Sequence, residues 1–518
     1  MSVGMPPTGP GAQARGPRHA AARHRPPRRR WPRRALVAGI VVVAVLLVVA
    51  IGGYGYARYR YGQIHKDTVR GLTAEAPGGK SVNILLIGEN CRACLNGKQA
   101  QAFGSAQQVA GNRSDVTMIL HLDPATRTAA LVSIPRDTFV PIPGTTNANR
   151  IDDALNKGPS TLVKTIEADF GIPINHFVGL NFDTFQGIVN SLGGITLDFP
   201  DPVKDAYSGL NIPAAGCHHL NGFQALAVVR ARHMYYKQNG VWYYDPTGDI
   251  SRIHRDHEFL KVLAAQLKPK LHNPLTVNSL IGSVAPQLQV DSGFGLHEMI
   301  SLALDYRSIN PNSVPTATLP VFEVPGNFAY RGAAGYGAVV FPVGPTDWNI
   351  LYSKLGMTVP SLPSGTTVTV LNGSGVAGQA GQVASALQGL GATITSVGNT
   401  TAASSPAETI VYYTPGHRQA AQAVLSHLAG NTVMGELPTL SSGSQLEVVT
   451  GTYLSVTGAS TSTTAPSSTP ASTAAPTTSA PSTSSNPVPS VDVTPATEPL
   501  PPYDPRACPA GMPVTPVG

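Results

Sequence analysis

The chain has 518 residues, 42% of them hydrophobic and only 13% charged, with a net charge of +7. That length allows two or three domains and a sizeable core. Nine arginines and no Asp or Glu fall within residues 1–34, which leaves the remainder at −2. The basic balance therefore belongs to one arm and does not argue for a nucleic-acid-binding body.

Residues 1–34 read as a basic, disordered, cytoplasmic arm. Ala35 to Ile51 is uncharged and almost wholly apolar, and the run continues to Ala57. At about 20 residues it is long enough to cross a bilayer as a helix. Arg28, Arg29, Arg30, Arg33 and Arg34 crowd its amino side. The positive-inside rule then predicts a single span at 35–57 in the plasma membrane, with a cytoplasmic N-terminus and an extracellular bulk. A juxtamembrane stalk covers 58–79. Residues 80–356 alternate strand and helix patterns: strands at 82–88, 116–122, 129–134, 176–182 and 195–199, and helices at 161–170, 183–192, 222–229, 252–267, 276–288 and 297–306. Interleaving of this kind predicts a layered α/β domain. A break at Pro360, Pro363, Ser364 and Gly365 precedes a second small α/β unit at 366–455. Residues 456–518 begin as a Ser/Thr/Pro/Ala-rich stretch and read as a disordered tail.

The four cysteines, Cys91, Cys94, Cys217 and Cys508, lie on the expected outer side, where one or two disulfides are expected, their pairing left open. The rival reading is a zinc site from Cys91, Cys94, Cys217 and His218 or His219. A G-x-G-x-x-G at Gly373–Gly378 lacks an acidic residue about 20 positions on and reads as a tight strand-to-helix turn.

Arginine and aspartate collect at the ends of apolar segments. Arg113 and Asp115 precede the strand at 116, and Arg136-Asp137 follows the strand at 129–134. Arg230 and Arg232 close the run Ala225–Val229. Arg252 and Arg255 sit one turn apart at a helix start, a spacing that places both on one face. A guanidinium fork matches phosphate bidentately and keeps its charge. Asp115 and Asp137 add hard oxygen ligands of the kind Mg²⁺ accepts. Arginines with one metal ion suit a pyrophosphate leaving group. The competing reading is a set of structural ion pairs.

These stretches resemble the LytR-CpsA-Psr family. The matching runs are Asn83–Gly88, Arg113–Met118, Ser133–Asp137, Arg150–Ala154, Gly171–Phe177, Leu192–Ile195, Leu220–Leu226, Val229–Arg232 and Asp249–Arg255, in family order. The resemblance implies a catalytic domain with a central mixed sheet flanked by helices, which binds lipid and holds a Mg²⁺-assisted pyrophosphate site. It implies transfer of a glycan phosphate from a polyprenyl pyrophosphate carrier to peptidoglycan or another wall acceptor, with pyrophosphatase activity on the side. On that footing Arg113, Arg136, Arg230, Arg232, Arg252 and Arg255 hold the pyrophosphate. Asp115 and Asn90 position the metal. Asp137 is the candidate general base, with Asp115 and Asp249 as alternatives. Residues 366–455 resemble the LytR C-terminal domain. Three positions depart from the family pattern, which has Asp at Asn90, Asn at Asp152 and Gln at Asp256; Glu89 would replace the missing acid only with a shifted backbone. An aromatic cluster, Tyr235, Tyr236, Trp242, Tyr243 and Tyr244, reads as the lining of a glycan or acceptor path, or as core or membrane contact. The alternatives for the whole chain are a non-catalytic carrier-binding scaffold and a structural wall protein.

Overall fold

The computed structural model describes residues 51–74, 81–91, 112–145, 147–286, 288–324, 326, 328–331, 333, 335–342, 345–400, 408–456 and 500–517. The expected membrane span lies outside these except for 51–57, which are helical; among the described residues no helix is long and apolar enough to cross a membrane. Of the described residues, 51–59 belong to a different unit from those between Arg60 and Gly518.

In chain order the large domain runs β1 (His65–Asp67), β2 (Val82–Cys91), β3 (Asn112–Asp123), β4 (Thr128–Ser133), α1 (Pro159–Phe170), β5 (His176–Leu180), α2 (Phe182–Ser191), β6 (Ile195–Phe199), β7 (Val203–Asp205) and β8 (Gly216–Leu220). It continues with α3 (Gly222–Arg230), β9 (Tyr235–Gln238), β10 (Val241–Tyr244), α4 (Asp249–Lys270), β11 (Gln289–Asp291), α5 (Leu296–Asp305), β12 (Thr316–Thr318) and α6 (Pro345–Lys354). Seven strands form the central sheet in the order β1-β11-β5-β2-β3-β4-β12. Pairing is mixed: β2 runs antiparallel to β3 and parallel to β5. This is the layered α/β arrangement expected from the sequence.

Strand alternation gives the sheet two different faces. Leu85, Ile87, Ile119, Val132 and Phe177 point into a dry core shared with Leu162, Val163, Ile166 and Phe170 of α1 and Trp348, Leu351 and Tyr352 of α6. The opposite face is covered by α2, α3 and α4. There Leu86 and Met118 of the sheet face Phe182 and Phe185 of α2, Leu226 and Val229 of α3, and Phe259 and Leu260 of α4 across a cavity of about 550 Å³.

The small unit is a second α/β layer. Its strands are β13 (Thr367–Asn372), β14 (Thr393–Asn399), β15 (Thr409–Tyr413), β16 (Thr432–Glu436) and β17 (Leu446–Thr450), ordered β14-β13-β17-β15-β16. The glycine-rich run turns the chain from β13 into the helix Gln379–Gly389, with Gly375 and Gly378 at φ 76° and 78°, where glycine avoids a Cβ clash. Gln422 donates to the carbonyls of Glu167 and Ala168 at the end of α1, at 3.0 and 2.6 Å. Ile410 and Val433 share a cluster with Phe139, Phe328 and Phe341 of the large domain, so the two units are packed on each other.

Residues 500–517 depart from the expected disordered tail. They return to the large domain as β18 (Arg506–Ala507), paired with β6, and β19 (Val514–Pro516), paired with β8. A disulfide joins Cys217 to Cys508. It removes Cys217 from the zinc set; the side chains of Cys91 and Cys94 lie outside the described residues. A span rich in Pro carries no strand periodicity, so this return is set by what it docks on.

Candidate active site

The polar end of the cavity begins with an irregularity. β2 and β3 pair in register as far as Gly88↔Val116, then continue as Glu89↔Ser114. Asp115 is the residue skipped. An extra residue of this kind bends a strand and re-aims its side chain. Both Glu89 and Asp115 line the cavity. The shifted backbone is the condition under which Glu89 was expected to stand in for the missing acid at Asn90. Asn90 pairs with Arg113 in the strand register, and its side chain lies outside the described residues.

Around Asp115 the expected arginines converge. Arg136, just after β4, donates from Nη1 to Asp115 Oδ1 at 2.7 Å. Its Nε lies 3.4 Å from Asp137 Oδ2 and 3.7 Å from Asp249 Oδ1. Arg232 approaches Asp249 at 2.8 Å and Asp137 at 3.7 Å. Arg252 donates to the Asp115 carbonyl at 2.6 Å and lies 3.2 Å from Asp249. Buried Asp205 holds the chain at Arg232 by accepting from the backbone N–H groups of Arg232 and His233, both at 2.8 Å. Arg230, the last residue of α3, lies over the Phe182 ring at 4.8 Å, at the boundary between charged and apolar lining.

Arg136, Arg230, Arg232 and Arg252 all line the cavity, as does Asp115. Asp137 and Asp249 do not. They stand behind the arginines, and Asp137 is further held by Arg150 at 3.4 Å. Two expected ligands are elsewhere. Arg113 pairs with buried Asp152 at 4.0 Å, because the bulge at Asp115 breaks the alternation that would put positions 113 and 115 on one face. Arg255 is fully buried on another side of α4. Three residues of helix leave it about 60° from Arg252, and that rotation turns it from the cavity to Asp504, at 2.6 Å, and the Ala231 carbonyl, at 2.6 Å. Asp245 completes its surroundings at 3.6 Å.

Charge states follow from these neighbours. Burial works against ionisation of Asp115, but Arg136, Arg252 and Arg232 outweigh it and hold its carboxyl below the usual carboxylate range. Burial lowers the Arg232 pKa, with Asp249 opposing and Arg136 and Arg252 adding to the fall. Asp256, a cavity-lining residue of α4, is pushed up to about 8 by burial despite Arg252 and Arg255. Its proton relieves the excess of carboxylates and leaves the arginine cluster electropositive near neutral pH.

The folded pKa of Asp256 lies above its unfolded value of 3.8, so its stabilising contribution is complete below about pH 4 and is lost as pH rises towards 8. Asp256→Asn should therefore raise the melting temperature more at pH 8 than at pH 5, by ~4–8 °C for a gain of about 2 kcal/mol. Paired thermal melts check this; equal shifts at both pH values would contradict it.

Glu89 and Asp256, noted in the sequence only as departures from the family pattern, join the site, and so does Arg150. Arg150 carried a signal, since it opens one of the family-like runs. Nothing in the spacing of Glu89 or Asp256 reports which way their side chains point.

Residues 365–453 match the model described as LytR cell envelope-related transcriptional attenuator. The probable cell wall biosynthesis protein LcpB of Corynebacterium glutamicum is 30% identical over 261 residues, 50% of this chain and 59% of that protein. The polyisoprenyl-teichoic acid–peptidoglycan teichoic acid transferase TagU of Enterococcus faecalis is 30% identical over 206 residues, 40% of this chain and 63% of that protein. The chain thus spans less than two thirds of either curated relative. A solved LytR-Csp2A-Psr enzyme from Actinomyces oris aligns at 25% identity and a TM-score of 0.44, covering 56% of this chain and 95% of that one. The LytR_cpsA_psr model matches residues 55–336, and the chain belongs to that family.

Proposed function

We propose that the chain transfers a glycan phosphate from a polyprenyl pyrophosphate carrier to peptidoglycan or a related wall acceptor. The observation that carries this reading is one cavity with two chemistries. Arg136, Arg230, Arg232 and Arg252 meet a wall of Leu86, Met118, Phe182, Phe185, Leu226 and Phe259. A lipid with a doubly phosphorylated head needs that combination. The naming of TagU as a polyisoprenyl-teichoic acid–peptidoglycan transferase supports the same reading.

In this mechanism an acceptor hydroxyl oxygen bonds to the glycan-side phosphorus. The bridging P–O bond breaks, and polyprenyl phosphate leaves with the electron pair. The arginines take up the charge that builds on the departing phosphate. Asp137 and Asp249 keep the guanidinium forks aimed. Of the three candidate bases only Asp115 lines the cavity, so Asp115, and not Asp137 behind the arginines, is placed to take the hydroxyl proton.

Among the described residues no three His, Cys, Asp or Glu side chains gather as a metal cluster. Mg²⁺ asks for less, because one or two carboxylates suffice when water and phosphate oxygens complete its shell. Ionised Asp115, with Glu89 beside it in the cavity lining, fits that need. When bound, the ion would neutralise charge that builds on the departing phosphate. Asp115→Asn should raise the Mg²⁺ concentration needed for half-maximal turnover by about tenfold or more. An unchanged Mg²⁺ titration would rule Asp115 out as a ligand.

The single span at 35–57 would hold the domain against the outer face of the plasma membrane, where the carrier is embedded. The direct test is the purified chain in detergent with Mg²⁺, a labelled carrier-linked oligosaccharide and peptidoglycan. Acceptor-dependent appearance of label on the wall polymer, with release of polyprenyl phosphate, is expected. Carrier binding without turnover would identify a scaffold; neither binding nor turnover would end the proposal.

A further inference from the structure

One surface outside the cavity is built in a way its own fold does not use. β9 and β10 form a hairpin closed by Asn239-Gly240, both at positive φ (50° and 84°). Asn-Gly in this conformation suits the tight primed turns of hairpins. The register places Tyr235 opposite Tyr244, Lys237 opposite Trp242, and Tyr235 opposite Lys204 of β7. Cross-strand partners share a face, so Lys204, Tyr235, Lys237, Trp242 and Tyr244 stand on one side of this small sheet.

That side is uncovered. Tyr235 is 40% exposed, Trp242 36% and Tyr244 45%. On the opposite side Tyr236 stacks at 4.0 Å on Tyr503 of the returning C-terminal segment, while Tyr243 is 44% exposed. Exposed aromatic surface in a patch marks a place where something binds. Both lysines lie over the Trp242 ring, Lys204 at 4.1 Å and Lys237 at 5.8 Å. The two acids that flank these strands, Asp205 and Asp245, are fully buried.

The face is also continuous with the cavity. The Tyr244 hydroxyl is 3.2 Å from His233 Nδ1, and the His233 ring is 4.8 Å from that of Tyr207. His233 and Tyr207 line the cavity, and Tyr207 is 77% exposed. An aromatic path therefore leads from the arginine cluster to the hairpin.

We infer that the Tyr235–Trp242–Tyr244 face, with Lys204 and Lys237, docks the acceptor: a saccharide strand that carries carboxylates. Ring faces pack against the apolar faces of sugars while their polar edges stay wet, and the ammonium groups meet the carboxylates. The donor's charged head is already met by the arginines, so a surface leading away from them serves a second substrate. This rests on the transfer reading above and adds the site of its acceptor.

The test uses the full chain in detergent and a soluble peptidoglycan oligomer with free carboxylates. The double variant Tyr235→Ala/Trp242→Ala, both positions exposed, should raise the acceptor KM at least tenfold. Acceptor-independent hydrolysis of a polyprenyl pyrophosphate should stay within twofold. Lys204→Glu/Lys237→Glu should weaken the same acceptor but have little effect on one whose carboxylates are amidated. An unchanged acceptor KM overturns the inference. So does a loss confined to anionic vesicle binding, which would make the face a membrane contact, or a rise in donor KM, which would give the face to the donor glycan. If the wild-type chain shows neither hydrolysis nor carrier binding, the transfer reading fails; if it shows both and the variants match it, only the acceptor site fails.

Discussion

Arg136→Ala should lower glycan transfer by about 10²–10³-fold, the usual cost of losing a pre-aimed donor to developing charge. The expectation rests on position. Arg136 is the one side chain within 4.0 Å of three carboxylates, Asp115, Asp137 and Asp249, among the described residues. Burial works against its charge, but Asp137, Asp115 and Asp249 together push its pKa above the ordinary arginine value. Removing it leaves those carboxylates facing one another, and Asp137 and Asp249, which aim Arg232, lose a shared counter-charge. Arg136→Lys separates fold from function. A lysine keeps the charge but not the fork, so its melting temperature should stay near that of the wild type while turnover still falls by roughly tenfold or more. Transfer within twofold of wild type in both variants would remove Arg136 from the mechanism.

The second large effect is on stability. Asp504→Ala should cost about 3–5 kcal/mol, because it leaves a buried guanidinium short of its nearest counter-charge. Arg255 and Asp504 have no exposed side-chain surface, and the remaining acid, Asp245, is farther away at 3.6 Å. For a domain of this size that corresponds to a melting temperature lower by about 10 °C. Burial pushes the Asp504 carboxyl up to about 6 while Asp504 in turn raises the Arg255 pKa, and the cost of desolvating such a buried pair offsets much of its attraction. A double change, Arg255→Met with Asp504→Leu, should therefore recover most of the loss. A double variant no better than Asp504→Ala alone would contradict this account.

Much of this molecule was legible in its residues. The strands at 82–88, 116–122, 129–134 and 176–182 read as largely apolar runs, because one face of the sheet packs on α1 and α6 and the other lies under α2, α3 and α4. The arginines at 136, 230, 232 and 252 stood out for sitting at the ends of core elements, which is where the structure gathers them. Arg255 and Arg113 show the limit of that argument. Helical spacing puts two side chains on one broad face but does not resolve a 60° turn, and a single skipped residue at Asp115 reverses which way a strand neighbour points. The docking of residues 500–517 left no periodic signal, because its contacts are long-range: a disulfide, a buried ion pair and one ring stack.

The Cys217–Cys508 bond has a further consequence for how the polypeptide responds to proteolysis. It closes a covalent ring across 291 positions, with the whole 366–455 unit inside it. A protease that cuts anywhere within that ring nicks the chain without shedding a fragment. The nicked protein would run as one species until a thiol is added, and as two afterwards.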